Sequence, residues 1–179
     1  MTIPTLETER LILRAWRTED FDRYFELFSN AEATRYIGGP QPTRGGCWRR
    51  FLQMPGAWAL QGFGMFAVED KASGVWVGQA GPWQPADWTG TEIGYAFHPD
   101  AQGKGYATES CRAAINYAFD VLGWAEVIHN IDADNRASQA VARKLGSRIV
   151  RRIDHQPPFD DHCVDVWGQS RDEWRASRT

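Results

Sequence analysis

The chain has 179 residues, one domain's length, at which folding buries roughly 70% of the unfolded surface without disulfide staples. Hydrophobic residues make up 42% and charged residues 24%, which excludes a disordered or fibrous protein. Lysine and arginine number 20 against 23 acidic residues, for a net charge of -3 with no basic half, so nucleic acid is not an expected partner.

From the N-terminus, MTIPTLETER carries charges and no apolar stretch of a secretory signal. Arg10–Trp16 (RLILRAW) is a first strand. Thr18 opens a helix in which Phe21, Tyr24, Phe25 and Phe28 recur at helical spacing. Residues 30–46, with four glycines and two prolines, form a mobile connection into a helix over Trp48–Met54. Trp58–Glu69 and Val75–Trp83 read as antiparallel strands around a turn at Asp70–Gly74, and Thr91–Phe97 alternates cleanly as a fourth strand. The next helix carries an apolar stripe of Ala107, Cys111, Ala114, Ile115, Ala118, Phe119 and Leu122, stopped by Gly123. A strand at Glu126–Asp132, a helix at Arg136–Leu145 and strands at Ser147–Ile153 and Cys163–Gln169 follow. This order predicts an α+β fold, a mixed sheet with helices packed on it, in a single domain over residues 1–179.

Cys47, Cys111 and Cys163 form no CxxC pair, and their odd number suits a reducing compartment, so a cytoplasmic location is expected. No apolar run approaches the roughly 20 residues that cross a bilayer, and no membrane partner is expected.

The sharpest motif is Gln102-Gly103-Lys104-Gly105-Tyr106-Ala107, between a strand and a long helix. Glycines there let successive N–H groups converge at the positive end of the helix, a ready phosphate site. The same residues also suit a plain turn. They match neither a Walker A loop nor a dinucleotide GxGxxG.

QGKGYA has the form Q/R-x-x-G-x-G/A and resembles the pyrophosphate loop of the GNAT superfamily of acyl-CoA-dependent N-acetyltransferases. Four further segments agree. Thr8–Arg14 (TERLILR), Glu92–Tyr95 (EIGY), Asn135–Ser138 with Lys144-Leu145-Gly146, and Ser170–Trp174 look like the RimJ/RimL-like branch, related to ribosomal-protein N-terminal acetyltransferases. The resemblance implies a mostly antiparallel seven-stranded sheet, splayed between its fourth and fifth strands and flanked by about four helices, with acetyl-CoA as co-substrate. It implies that the amides of Gly103, Lys104, Gly105, Tyr106 and Ala107, after Gln102, hold the pyrophosphate. Main-chain groups of Tyr95, Ala96 and Phe97 would pair with pantetheine, Asn135 would hydrogen-bond it, and Ser138 would lie near the thioester sulfur. Many members carry a tyrosine seven residues after the asparagine as proton donor to the thiolate, and here that position is Ala142. Ser138, an ordered water, or an unassisted thiolate must then serve.

An alkyl ammonium of pKa near 10.4 is only about one part in a thousand neutral at pH 7, so attack on a thioester needs a proton acceptor, a desolvating pocket, or both. Glu92 is the candidate base, on a strand face shared with the small residues Gly94 and Ala96. Trp48, Trp58, Trp83, Trp88 and Tyr36 fall in segments that line the acceptor cleft in the resembled fold. Among them Tyr36, Trp83 and Trp88 are the candidate substrate contacts, while Trp16, Trp76 and Trp167 fit the core. Arg143, Lys144, Arg148, Arg151 and Arg152 are candidates for the 3′-phosphate or plain solvated charges. His98 and His129 are read as structural. His155, Asp160, Asp161 and His162 are ligand types at irregular spacing, and no metal is expected. The expected activity is acetyl transfer to a small-molecule amine in a ternary complex, with a protein N-terminus or a silent acyl-CoA-binding module as the alternatives. The protein is expected as a monomer or homodimer.

Overall fold

The computed structural model describes residues 2–156 and 159–177, without the side chains of residues 155, 156 and 159–162. Eight strands form one sheet: β1 (Leu6–Glu7), β2 (Leu11–Arg14), β3 (Phe66–Asp70), β4 (Val75–Trp83), β5 (Glu92–Phe97), β6 (Glu126–Asp132), β7 (Arg148–Gln156) and β8 (Phe159–Ser170). Their order is β1-β2-β3-β4-β5-β6-β8-β7. Every neighbouring pair is antiparallel except β5 and β6, which run parallel and share a single register pair, Glu92 with Ile128. The sheet therefore opens between β5 and β6. These are the fourth and fifth strands of the sequence reading, renumbered because the two-residue β1 precedes them.

Six helices flank the sheet: α1 (Phe21–Ser29), α2 (Ala31–Thr34), α3 (Arg44–Gln61), α4 (Tyr106–Asp120), α5 (Arg136–Lys144) and α6 (Arg171–Ala176). The short α2 and α6 account for the excess over the expected four. On one face α4 lays Cys111, Ala114, Ile115, Ala118 and Phe119 against Ile93 and Val127. Burying a side chain of the size of Ile115 or Phe119 stabilises by roughly 1.5–3 kcal/mol. On the opposite face α1 and α3 bring Phe21, Tyr24, Phe28, Cys47 and Phe51 over Ala67, Trp76 and Ala96. Beneath them Arg14 bonds both carboxylate oxygens of Asp20 at 2.7 and 2.8 Å and Glu69 at 2.7 Å, tying β2 to the turn before α1 and to β3.

The expected strand over Trp58–Glu69 is corrected: α3 runs through Gln61, and only Phe66–Asp70 is extended. Cys47, Phe51, Met54 and Trp58, spaced at helical intervals, form its buried stripe, and Gly62 closes it in the left-handed conformation (φ +80°). Pro55 sits inside the helix and is tolerated there. In β4, Val68 faces Gly78 while Glu69 faces Trp76, leaving Val77 as a bulged residue. The bulge puts Trp76 and Gln79 on the α1–α3 face and Val77 and Ala80 on the α4 face.

Candidate active site

The open seam between β5 and β6 defines the site. Thr91 accepts from the Ile128 N–H, and Ile93 accepts from His129 Nδ1 at 2.8 Å, so the odd-numbered backbone groups of β5 face the seam. Tyr95 thus presents its main-chain groups to the opening, whereas those of Ala96 turn to β4 across from Gln79. Phe97 also faces the seam, but its carbonyl accepts from Gln102 Nε2 at 3.1 Å. Gln102 therefore ties the glycine loop to the end of β5 and leaves the cradle to the amides that follow it.

On the α1–α3 face stands Glu92, buried at the vertex with 8% of its surface exposed. One carboxylate oxygen accepts from the Asn130 N–H at 3.1 Å, and the other accepts from Asn130 Nδ2 at 2.9 Å and from Trp88 Nε1. Burial pushes its pKa up, and these donors only partly offset the effect. Trp88 reaches the carboxylate through a tight turn, Trp88 N–H to the Pro85 carbonyl, that puts Asp87 in the left-handed region (φ +60°). Thr89 bonds Asn130 and Arg151, which fastens this loop to β6 and β7.

The room beside Glu92 is not empty. A Cβ on Gly94 would meet the Met65 methyl at 2.5 Å, so the glycine makes space for Met65. Gln79 Nε2 lies 3.1 Å from the Met65 sulfur, and its buried Oε1 has no hydrogen-bond partner among the described residues. Trp83, opposite Glu92 on β4, is half-buried. Tyr36 is 36% exposed, and its hydroxyl approaches the Asp134 carbonyl at 3.5 Å from across the cleft.

On the α4 face the Tyr95 hydroxyl donates to Ser138 Oγ at 2.9 Å, joining β5 to the first turn of α5. Burial raises the Tyr95 phenol pKa further above its ordinary value. Asn135 Oδ1 caps α5 by accepting from the Ser138 N–H at 3.1 Å. Ala142 is 1% exposed and packs on Ile131 and Trp167, so the face of α5 at that position is closed.

At the mouth of this face lies the glycine loop. Gly103 (φ +74°) and Gly105 (φ +83°) both take the left-handed conformation that glycine permits. The N–H groups of Gly103, Lys104, Gly105, Tyr106 and Ala107 carry no hydrogen bond among the described residues. Unpartnered amides converging at a helix start form an anion-binding cradle, and the chain fits the pyrophosphate of an acyl-CoA there without a basic side chain.

Other candidates go elsewhere. Trp58 is buried between Phe66 and Tyr117, and Trp48 packs on Phe21 and Phe51, so both serve the core instead of the cleft. Trp76 and Trp167 are buried, and Trp16 packs with Tyr24 and Phe51. His98 caps the turn before the loop and meets Glu26 at 3.1 Å. Arg143 covers the Trp167 ring and Arg148 pairs with Glu173, leaving Lys144 exposed beside them. The side chains of His155, Asp160, Asp161 and His162 lie outside the described residues; among the described residues no group of His, Cys, Asp or Glu is placed to hold a metal. No described helix is long and apolar enough to cross a membrane.

A splayed parallel pair, an amide cradle at a helix start and a buried carboxylate at the vertex together define an acyl-CoA-dependent transferase. Comparison with known proteins gives the family. Residues 10–148 match the model of the Acetyltransferase (GNAT) domain, and the chain belongs to that family of acyltransferases. It is 32% identical over 154 residues to YkkB of Bacillus subtilis (strain 168), covering 83% of this chain and 87% of that one. It is 36% identical over 88 residues to FsC-acetyl coenzyme A-N(2)-transacetylase of Aspergillus fumigatus, 47% of this chain and 37% of that protein. The crystal structure of an acetyltransferase from Agrobacterium tumefaciens superposes with a TM-score of 0.82 at 27% identity, covering 96% of both chains.

Thr8, Arg10 and Glu109, which hold the loop from outside, and Asn130, which holds Glu92, escaped the sequence reading. Only TERLILR, which resembles the opening strand of the RimJ/RimL-like branch, contains any of them.

Proposed function

We infer that the protein transfers the acetyl group of acetyl-CoA to a primary amine of a small molecule, by direct attack within a ternary complex. The observation that carries this reading is the placement of Glu92 and the Tyr95–Ser138 hydroxyl pair on opposite faces of one seam. An amine arriving on the α1–α3 face meets a buried carboxylate, and a thiolate leaving on the α4 face meets hydroxyl donors. Acetyl-CoA supplies the activated acyl carbon. Glu92, directly or through a water, takes the ammonium proton, and its raised pKa brings it closer to the pH at which a base works best. The Tyr95 N–H, facing the seam, stabilises the developing oxyanion. Because Tyr95 donates to Ser138 Oγ, the Ser138 hydrogen is left to point at the departing sulfur. Asn135 keeps its amide for the pantetheine while its oxygen caps α5.

The small-molecule acceptor is supported by the lining of that face. Trp83, Trp88, Met65 and Gln79 offer aromatic and neutral polar surface, which suits desolvation and cation–π contact with an amine better than a strongly basic protein terminus. TERLILR, EIGY and the N-x-x-S helix support membership of the RimJ/RimL-like branch, in which the acceptor varies independently of the cofactor half. The buried thiols of Cys47 and Cys111 suit a reducing, cytoplasmic setting.

The test is thiol release from acetyl-CoA with a panel of small amines and of peptides with free N-termini. Turnover restricted to small amines is expected. Turnover restricted to peptides replaces the acceptor class, and calorimetric binding of acetyl-CoA without turnover on any amine makes the protein a binding module.

A further inference from the structure

The amide cradle at the start of α4 is built from backbone alone, and a loop with two left-handed glycines is easily deformed. What holds it comes from the far end of the chain. Arg10, in the turn between β1 and β2, donates from Nη1 to the Lys104 carbonyl at 3.0 Å. Its Nε and Nη2 reach Glu109 Oε2 at 2.8 and 2.7 Å, and its guanidinium carbon sits 4.9 Å from the centre of the Tyr106 ring. The other oxygen of Glu109, Oε1, accepts from the Thr8 hydroxyl at 2.6 Å and the Arg10 N–H at 2.8 Å. Lys71 Nζ, from the β3–β4 turn, in turn fixes the Thr8 carbonyl at 2.7 Å.

We propose that Arg10 and Glu109 form a clamp that sets the phosphate loop in its binding shape, which makes Arg10 the positioning residue for the coenzyme A pyrophosphate. This rests on the acyl-CoA reading above. In a trans peptide the Lys104 carbonyl and the Gly105 N–H point in opposite directions. By pinning that carbonyl toward the β1–β2 turn, Arg10 directs the Gly105 N–H away from itself, to the side where the unpartnered amides converge. The guanidinium also packs on the glycine directly, since a Cβ at Gly105 would lie 3.4 Å from Arg10 Nη2.

Glu109 has the second part. A carboxylate in the first turn of a helix would repel a phosphate bound at the same end. Here both oxygens are turned to Thr8 and Arg10. Burial alone would raise the Glu109 pKa, but these donors outweigh it and hold the group below the usual carboxylate range. Its negative charge is thus spent on Arg10 and kept off the ligand. Arg is required for this, because one planar fork serves the carboxylate and the Lys104 carbonyl together.

Calorimetric titration with coenzyme A, and with pantetheine as the probe lacking a pyrophosphate, tests the clamp in Arg10→Met and Arg10→Lys. Both variants should bind coenzyme A about tenfold or more weakly, the equivalent of one lost charge-assisted hydrogen bond. Both should raise KM for acetyl-CoA while leaving kcat at saturation unchanged, and pantetheine should bind them as it binds the wild type. Wild-type affinity in Arg10→Lys would overturn the clamp, since charge alone would then suffice. An equal loss for pantetheine would overturn it too, as general loosening, which a lowered melting temperature without ligand would accompany. A wild-type protein that takes up no coenzyme A at all removes the acyl-CoA reading itself, before any variant is compared.

Discussion

Glu92 and Ile128 pair in parallel register, and beyond them β5 and β6 part, so the carboxylate stands where the seam begins. Only the ionised carboxylate can accept a proton, and burial favours its protonated form. With Glu92 as the proposed base, the active fraction of enzyme is expected to rise with pH through a pKa above the ordinary carboxylate value of about 4.3. Glu92→Gln should lower kcat by about a hundredfold, remove this acid limb, flatten the alkaline rise and leave coenzyme A affinity intact. A pH–rate profile of both proteins decides the matter, and an unchanged profile takes Glu92 out of the chemistry.

Tyr95→Phe removes one oxygen and keeps the ring packed, so it isolates the bond to Ser138. The expected result is a fall in kcat of about tenfold, the value of one hydrogen bond, with acetyl-CoA binding unaltered. The double variant with Ser138→Ala should be no slower than Ser138→Ala alone, because the two hydroxyls act as one unit. Additive losses in single-turnover assays would mean that they act separately.

Gly105 has a left-handed φ of +83° and Arg10 Nη2 3.4 Å from the position of its absent Cβ. Gly105→Asp adds backbone strain and a negative charge beside the cradle. Coenzyme A binding, followed by calorimetry, should weaken at least tenfold, or about 1.4 kcal/mol. Survival of the affinity would show that the loop is only a turn.

His129 predicts how stability depends on pH. It is 4% exposed, donates from Nδ1 to the Ile93 carbonyl, and has no partner for Nε2 among the described residues. Burial holds its pKa below the ordinary value. Above a pH of about 6.5 neither folded nor unfolded protein protonates it; below, the unfolded chain does so first, and stability falls. Denaturant midpoints should drop between neutral pH and pH ~5.5, with a slope approaching ~1.4 kcal/mol per pH unit. His129→Gln, which keeps a donor for Ile93, should flatten that slope, and an unchanged slope would place the titrating group elsewhere.

Three strands were legible in the sequence: β4 and β6 have the expected limits, and β5, the cleanly alternating one, begins one residue late. The misreading fell on α3, where Pro55 and the glycines around it argue for a break. Cys47, Phe51, Met54 and Trp58 carried the helical period throughout, but aromatic residues alternating with glycine from Ala57 onward imitate a strand. The glycine loop could be read because a helix start and glycine conformational freedom are local properties. Its clamp could not, because Thr8 and Arg10 lie 101 and 99 residues from Glu109 and meet it only once the sheet has formed. For the same reason Glu92 could be picked from its strand face, but not its donors Asn130 and Trp88.

Met65 is held in two independent ways. Its carbonyl accepts from the indoles of Trp16 at 2.8 Å and Trp58 at 3.0 Å, while its side chain lies against the bare backbone of Gly94 and the amide of Gln79. The bonds that hold the backbone at residue 65 thus do not involve its side chain. An exchange there would change the volume next to Gly94 and Gln79, on the sheet face that also carries Glu92. Under the proposed reading, in which the amine enters on this face, residue 65 would tune the size of the acceptor at a position separate from the proposed base.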